Sequence, residues 1–385
     1  MRHLKLSASS SLSLPPDSYI YNILPLSART SPIAYAPPTR LAALCSDDSV
    51  RILDAKSLEA NGVLKDVNES VTCLERFARD GEECNVLATT GRDGRVRFWD
   101  VRTGKGTERQ PKISLSALEC SAERNCVVAG AELEGQDGPG DAPIFVWDTR
   151  NLAKPQHVYT ESHTDTVTEL LFHPSVPSLL LTASTDSLIN LIDVTNPDED
   201  EAVHQVINHK SALHHAGFLN DTTVYGLGTD ETLSFYRLQQ GPEIEGDDSV
   251  DDAEECGDVR EALDVEYIVK IEWAGTTPYI VGGKHSAQTL DIIPLGQPTS
   301  PMSIQWKPQV DDALKLRLDG AHGEEIVRDV YVQGGDAVYT CGEDGTVKVW
   351  SSQEEEAMMM DEAEGKRKKD KGKGGRGKEG RYKPY

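Results

Sequence analysis

The sequence predicts an all-β fold assembled from repeated small sheets, and three observations carry the prediction. The stretch Thr340-Cys341-Gly342-Glu343-Asp344-Gly345-Thr346-Val347-Lys348-Val349-Trp350 has a counterpart in Thr89-Thr90-Gly91-Arg92-Asp93-Gly94-Arg95-Val96-Arg97-Phe98-Trp99. In both, an Asp-Gly pair follows the Thr and an alternating strand ends in Trp; Asp-Gly favours a hairpin because Gly takes a positive φ without steric cost. Fainter copies end at Leu53, Trp147, Ile192, Tyr236 and Ile293, so that successive ends lie 46, 48, 45, 44, 57 and 57 residues apart. Apolar runs between the copies, such as Val167–Phe172 and residues 326–332, supply further strands. A period of about 40–45 residues with four strands per unit builds a radial array. The fold expected over residues 17–351 is therefore a seven-bladed β-propeller.

Each unit has its own signature. Ser46-Asp47-Asp48 turns into the first, and the Asp93 copy is the second. Ile144-Phe145-Val146-Trp147-Asp148 is the third, its turn swollen by the Gly-rich segment 134–141. The fourth runs from Thr182 through Asp186 to Asp193, and the fifth from Gly228 to Tyr236. Tyr279-Ile280-Val281-Gly282-Gly283 with Leu290-Asp291-Ile292-Ile293 makes a degenerate sixth. After Trp350 the chain turns polar, so the seventh unit lacks an outer strand. The upstream run Tyr19-Ile20-Tyr21-Asn22-Ile23-Leu24 is expected to supply it, sealing an edge that would otherwise invite aggregation. Residues 1–16, diluted by serines and without a small-residue cleavage site, read as a flexible leader. Residues 243–264 hold eleven acidic residues and one basic residue, and read as a disordered insertion. Residues 352–385 read as a disordered charged tail.

These features resemble the WD-repeat family. The resemblance implies a hydrogen-bonded tetrad of scaffold residues: His322, Thr340, Asp344 and Trp350 in the seventh unit. The fourth keeps His163, Thr182 and Asp186 with Ile192 in place of Trp; the second keeps Thr89, Asp93 and Trp99 and has no His before Val71. Buried polar groups between blades must be paired, and pairing them selects one geometry. Trp99-Asp100-Val101-Arg102 and Trp147-Asp148-Thr149-Arg150 stand in consecutive units. They resemble the box that WD-repeat substrate receptors of cullin-type ubiquitin ligases use to dock on an adaptor, which would make Arg102 and Arg150 contacts.

Charge narrows the partners. The chain carries a net −25, while residues 365–385 carry +8, leaving −33 for residues 1–364. Such a body repels nucleic-acid backbone and attracts basic proteins, for which a ribosomal protein or a histone would suit. Lys366, Arg367, Lys368 and Lys369 form a candidate nuclear-import signal or a non-specific RNA contact, so the expected location is nucleus or cytoplasm. Seven cysteines without a Cys-x-x-Cys pair read as reduced thiols. No ligand cluster calls for a metal or cofactor, and His214-His215 point to opposite faces of a strand. No apolar run approaches the roughly 20 residues of a membrane span. Carboxylates are assigned to turns and loops, so no catalytic residue is expected. The expectation is a non-catalytic, monomeric interaction scaffold, with a ligase substrate receptor as the alternative.

Overall fold

The computed structural model describes residues 1–31, 34–109, 113–133, 140–239, 253–298, 304–334 and 337–352. Four-stranded antiparallel arrays follow one another along the chain. Their first strands are Ile20–Pro25, Val71–Arg76, Leu115–Ser121, Val167–Phe172, Leu213–Asn220, Tyr267–Ala274 and Val327–Gln333. We number the arrays blades 1 to 7. Five are separate sheets, and blades 6 and 7 share one nine-stranded sheet.

The first strands carry the repeat more faithfully than the turns do. Each has a β-bulge at the same place, between Ile20 and Asn22, Val71 and Cys73, Leu115 and Ala117, Val167 and Glu169, Leu213 and His215, Ile268 and Lys270, and Val327 and Asp329. A bulge kinks the strand, raises its twist and pins its register. The residue two places past each bulge start plus one is always apolar and buried: Ile23, Leu74, Leu118, Leu170, Ala216, Ile271 and Val330. These side chains fill the seams between neighbouring blades.

The hairpin turns explain why some copies look faint. Gly94 and Gly345 take φ of +65° and +67°, as an Asp-Gly turn requires. At the matching corners Asp48, Ser187, Glu231 and Gln288 adopt positive φ without being glycine. The backbone is retained at a cost of about 1–2 kcal/mol per residue, while the sequence mark is lost.

Two expectations are corrected. The strand that completes blade 7 is Arg2–Ser10, not Tyr19–Leu24. Lys5–Ser10 pair antiparallel with Val347–Ser351, and Arg2–Leu4 pair parallel with Leu316–Leu318 of blade 6. Tyr19 stands just ahead of Ile20–Pro25, which is the first strand of blade 1, with Ile20 and Ile23 buried. The reason is exposure: an outermost strand meets solvent along most of its length, so a Ser-rich segment with Leu4 as its one buried residue suffices. The supposed leader is thus the clasp of the ring. The acidic block is corrected for the same reason. Ala253–Asp258 form the outer strand of blade 5, and Arg260–Leu263 a short helical turn anchored by Val259 and Leu263. Residues 240–252, the charged tail and Lys366 to Lys369 lie outside the described residues.

Candidate interaction site along the central channel

The bulges aim one residue per blade at the ring axis. Asn22, Cys73, Ala117, Glu169, His215, Lys270 and Asp329 border a single cavity of about 810 Å³. Its lining runs from loop residues Ser46, Asp48, Ser70, Arg92 and Glu132 down to Glu75. It therefore opens on the face that carries the Asp-Gly turns. Beyond it, the hairpin formed by Arg29–Ser31 and Ala34–Tyr35 lies across the far ends of the first strands of blades 7 and 2. The Tyr35 ring stands edge-on to Tyr331 with centroids 6.2 Å apart, and the Arg76 guanidinium sits 4.5 Å from its centroid.

Much of the axial charge ties blades together. Lys270 Nζ reaches Asp329 Oδ1 at 2.8 Å and Glu272 Oε2 at 2.7 Å. Asp329 Oδ2 accepts from Asn22 Nδ2 at 2.8 Å and from the Ile23 amide at 2.9 Å. Burial alone would depress Lys270, but Asp329 and Glu272 raise it well above the usual lysine range. His215 Nδ1 meets Glu169 Oε2 at 3.0 Å, joining blades 4 and 5. Thr72 donates to the Leu115 carbonyl and Ser116 to the Val167 carbonyl, linking blades 2, 3 and 4.

Glu75 and Glu119 differ from these. Among the described residues neither forms an ion pair, and the hydrogen bond found at the Glu75 carboxylate comes from the Arg76 amide at 3.3 Å. Burial, with Glu169 nearby, pushes Glu75 up to about 7; burial and Glu75 push Glu119 well above the carboxylate range. The sequence reading missed these groups by assigning carboxylates to turns and loops. The available signal was a charged residue flanking the constant apolar position of a first strand.

The tetrad residues come together around the rim. In blade 7, His322 Nδ1 lies 2.7 Å from Asp344 and Nε2 lies 2.8 Å from Thr340 Oγ1, to which Trp350 Nε1 donates at 3.0 Å. His163 meets Asp186 at 3.0 Å and Thr182 at 2.8 Å. In blade 2, Trp99 Nε1 donates to Thr89 Oγ1 at 3.0 Å, and Asn68 takes the histidine's place. It accepts from Thr89 at 2.6 Å and donates to Asp93 at 2.9 Å. Only its short amide, unlike a histidine in type, hid it from the sequence reading. His209 forms a further variant with Tyr236 Oη at 2.9 Å. This recurring network, on blades of four strands around one axis, decides the family. The chain is a WD-repeat propeller.

Comparison with known proteins agrees. Residues 61–100 and 315–351 match the family model "WD domain, G-beta repeat". An uncharacterized WD repeat-containing protein of Saccharomyces cerevisiae is 28% identical over 80% of this chain and 75% of its own length. The WD repeat-containing protein GTS1 of Arabidopsis thaliana is 26% identical over 82% and 79%. The WD repeat-containing protein 89 homolog of Dictyostelium discoideum is 22% identical over 82% and 80%.

Arg102 and Arg150 occupy the same corner of blades 2 and 3, on the face away from the cavity mouth. Each guanidinium folds back on the aspartate two residues earlier, Arg102 on Asp100 at 2.9 Å and Arg150 on Asp148 at 2.6 Å. Both remain about 70% exposed, at 67% and 71%. His214 and His215 correct the expectation of opposite faces: the bulge between Leu213 and His215 brings their ring centroids to 5.0 Å, with His214 Nε2 buried without a hydrogen-bond partner and His215 turned to Glu169. Among the described residues no group of three or more His, Cys, Asp or Glu side chains is placed to hold a metal ion. The seven cysteines are all free, and no helix among the described residues is long and apolar enough to cross a membrane.

Proposed function

We propose that this WD-repeat propeller is a non-catalytic interaction scaffold that engages a basic protein, of ribosomal-protein or histone character, in the nucleus or cytoplasm. The observation that carries the reading is the charge of residues 1–364, a net −33. A field of that sign concentrates cationic partners and speeds their encounter. The ion pairs Lys270–Asp329 and His215–Glu169 span neighbouring blades, which reads as scaffold rather than as an acid and base awaiting substrate. The test is capture of basic proteins from extract at low salt and at about 0.5 M salt, where screening is nearly complete. Equal capture at both refutes the reading. Nuclear entry through Lys366 to Lys369 is tested by the location of a fluorescent fusion with and without residues 365–385.

A second reading rests on Arg102 and Arg150, exposed at equivalent corners of adjacent blades. If the chain is a ligase substrate receptor, Arg102→Ala with Arg150→Ala abolishes co-purification of the ligase adaptor and leaves the urea transition unchanged. Retained adaptor rules this out.

A further inference from the structure

We propose that the axial cavity is a subsite for one cationic side chain, a lysine or arginine of the basic partner, held between Glu75 and Glu169 with the Tyr225 hydroxyl as a third contact. The inference rests on the reading of the protein as a binder of basic partners and says where that partner's charge is read.

Subtracting the ion pairs at the cavity shows what is left over. Lys270 is engaged by Asp329 and Glu272, Arg92 pairs with Glu132 at 2.9 Å, and Arg328 pairs with Glu343. Among the described residues Glu169 forms an ion pair with His215 alone, an imidazole. Glu75 forms no ion pair among the described residues, so the side of the cavity built by blades 2 and 4 is short of positive charge. Partly buried carboxylates in that position are costly unless a cation joins them.

Tyr225 points to a ligand independently. It comes from the second strand of blade 5 and is 7% exposed, yet it lines the cavity. Its ring reaches the axis because residue 217 is glycine; a Cβ there would lie 2.9 Å from Tyr225 Cε1 and 3.0 Å from its hydroxyl. Among the described residues that hydroxyl has no hydrogen-bond partner, although Glu169 and Lys270 lie near enough to act on it. A buried phenol aimed into a cavity and left without an acceptor or donor is a group awaiting a partner. Loop residues of the turn-bearing face, among them Asp48, Arg92 and Glu132, border the cavity, and the side chain enters from that face.

Entry of a cation is coupled to loss of a proton. Glu75 faces Glu169 of blade 4 and Glu119 of blade 3, with Arg76 on its own strand and Arg29 of the hairpin below; burial outweighs both arginines, leaving Glu75 at about 7. A cation favours the ionised carboxylate. Binding therefore expels a proton and tightens as pH rises.

The experiment uses the full chain and the monocation N-acetyl-argininamide, with the neutral N-acetyl-citrullinamide as control, followed by ligand-observed NMR. The arginine probe should bind and the citrulline probe should not. Affinity should rise severalfold (~3-fold or more) between about pH 6 and about pH 8, as displacement of a proton from a carboxylate held above its usual range requires. Glu75→Gln should weaken binding and flatten the pH dependence; Glu169→Gln and Tyr225→Phe should weaken it while circular dichroism stays native. Equal binding of both probes, or wild-type affinity and pH profile in Glu75→Gln and Glu169→Gln, overturns the subsite. If those variants still capture basic proteins in a salt-sensitive way, the subsite falls and the broader function stands. Loss of salt-sensitive capture in the wild type defeats the broader function itself.

Discussion

Replacing Leu4 by Ala separates a structural clasp from a loose leader. Leu4 is 3% exposed and packs in the cluster that contains Leu316, Leu318, Val338 and Trp350. Leu6, two residues on, is 48% exposed. Leu→Ala removes three carbons from the buried site, worth roughly 2.4 kcal/mol at about 0.8 kcal/mol each before any cavity term, within the ~2–5 kcal/mol seen for such changes. At a urea slope of about 3 kcal/mol/M, suited to a large domain, the midpoint should fall by about 0.8 M or more. Leu6→Ala should shift it by less than about 0.2 M, as an exposed site allows. The assay is urea unfolding followed by tryptophan fluorescence, since Trp350 pairs in register with Leu6 and packs beside Leu4. Equal and small shifts in the two variants would show that residues 2–10 do not hold blade 7, and the closure argument would fail. Deleting residues 2–10 should also expose the edge of Val347–Ser351 and promote self-association, measurable by light scattering.

Three further outcomes follow from the geometry. Although burial pushes Asp344 up, hydrogen bonds from His322, Thr346 and Lys348 hold it well below the usual carboxylate range. Its stabilising contribution is complete above the unfolded value of about 3.9 and is lost as pH falls through the folded one. Asp344→Asn should therefore be less stable at neutral pH and converge with wild type in acid, as read from urea midpoints at several pH values. Asn68→Ala should leave Thr89 and Asp93 short of a partner and cost about 1–3 kcal/mol in the same assay, with Asn68→His recovering part of it. Gly217→Ala should cost about 1–3 kcal/mol by driving a methyl into the Tyr225 ring, and adding Tyr225→Ala should relieve that clash.

The features legible in the chain are those that a few neighbouring residues decide. The Asp-Gly corners at Gly94 and Gly345, the strands ending in Trp99, Trp147 and Trp350, and the spacing between them announce repeated four-stranded sheets. The tetrad of blade 7 could be named because His322, Thr340, Asp344 and Trp350 each match the residue type that the WD-repeat resemblance implies. Asn68 could not, because its equivalence to His322 lies in the position of its amide beside Thr89 and Asp93 rather than in residue type. The copies at Asp48, Ser187, Glu231 and Gln288 were faint because the backbone kept a positive φ that their side chains do not advertise.

Tertiary structure alone decided which segment seals the ring and what faces its axis. An outer strand is mostly solvated, so Arg2–Ser10 and the acidic Ala253–Asp258 look in isolation like chain with no reason to order; their partners lie far away or across a long excursion. The channel is likewise invisible in one dimension. Glu75, Glu169 and Tyr225 sit in separate blades, and only closure of the circle brings them around one cavity. Periodicity and turns are short-range properties of a polymer, whereas closure and the field inside it arise from contacts between residues hundreds of positions apart.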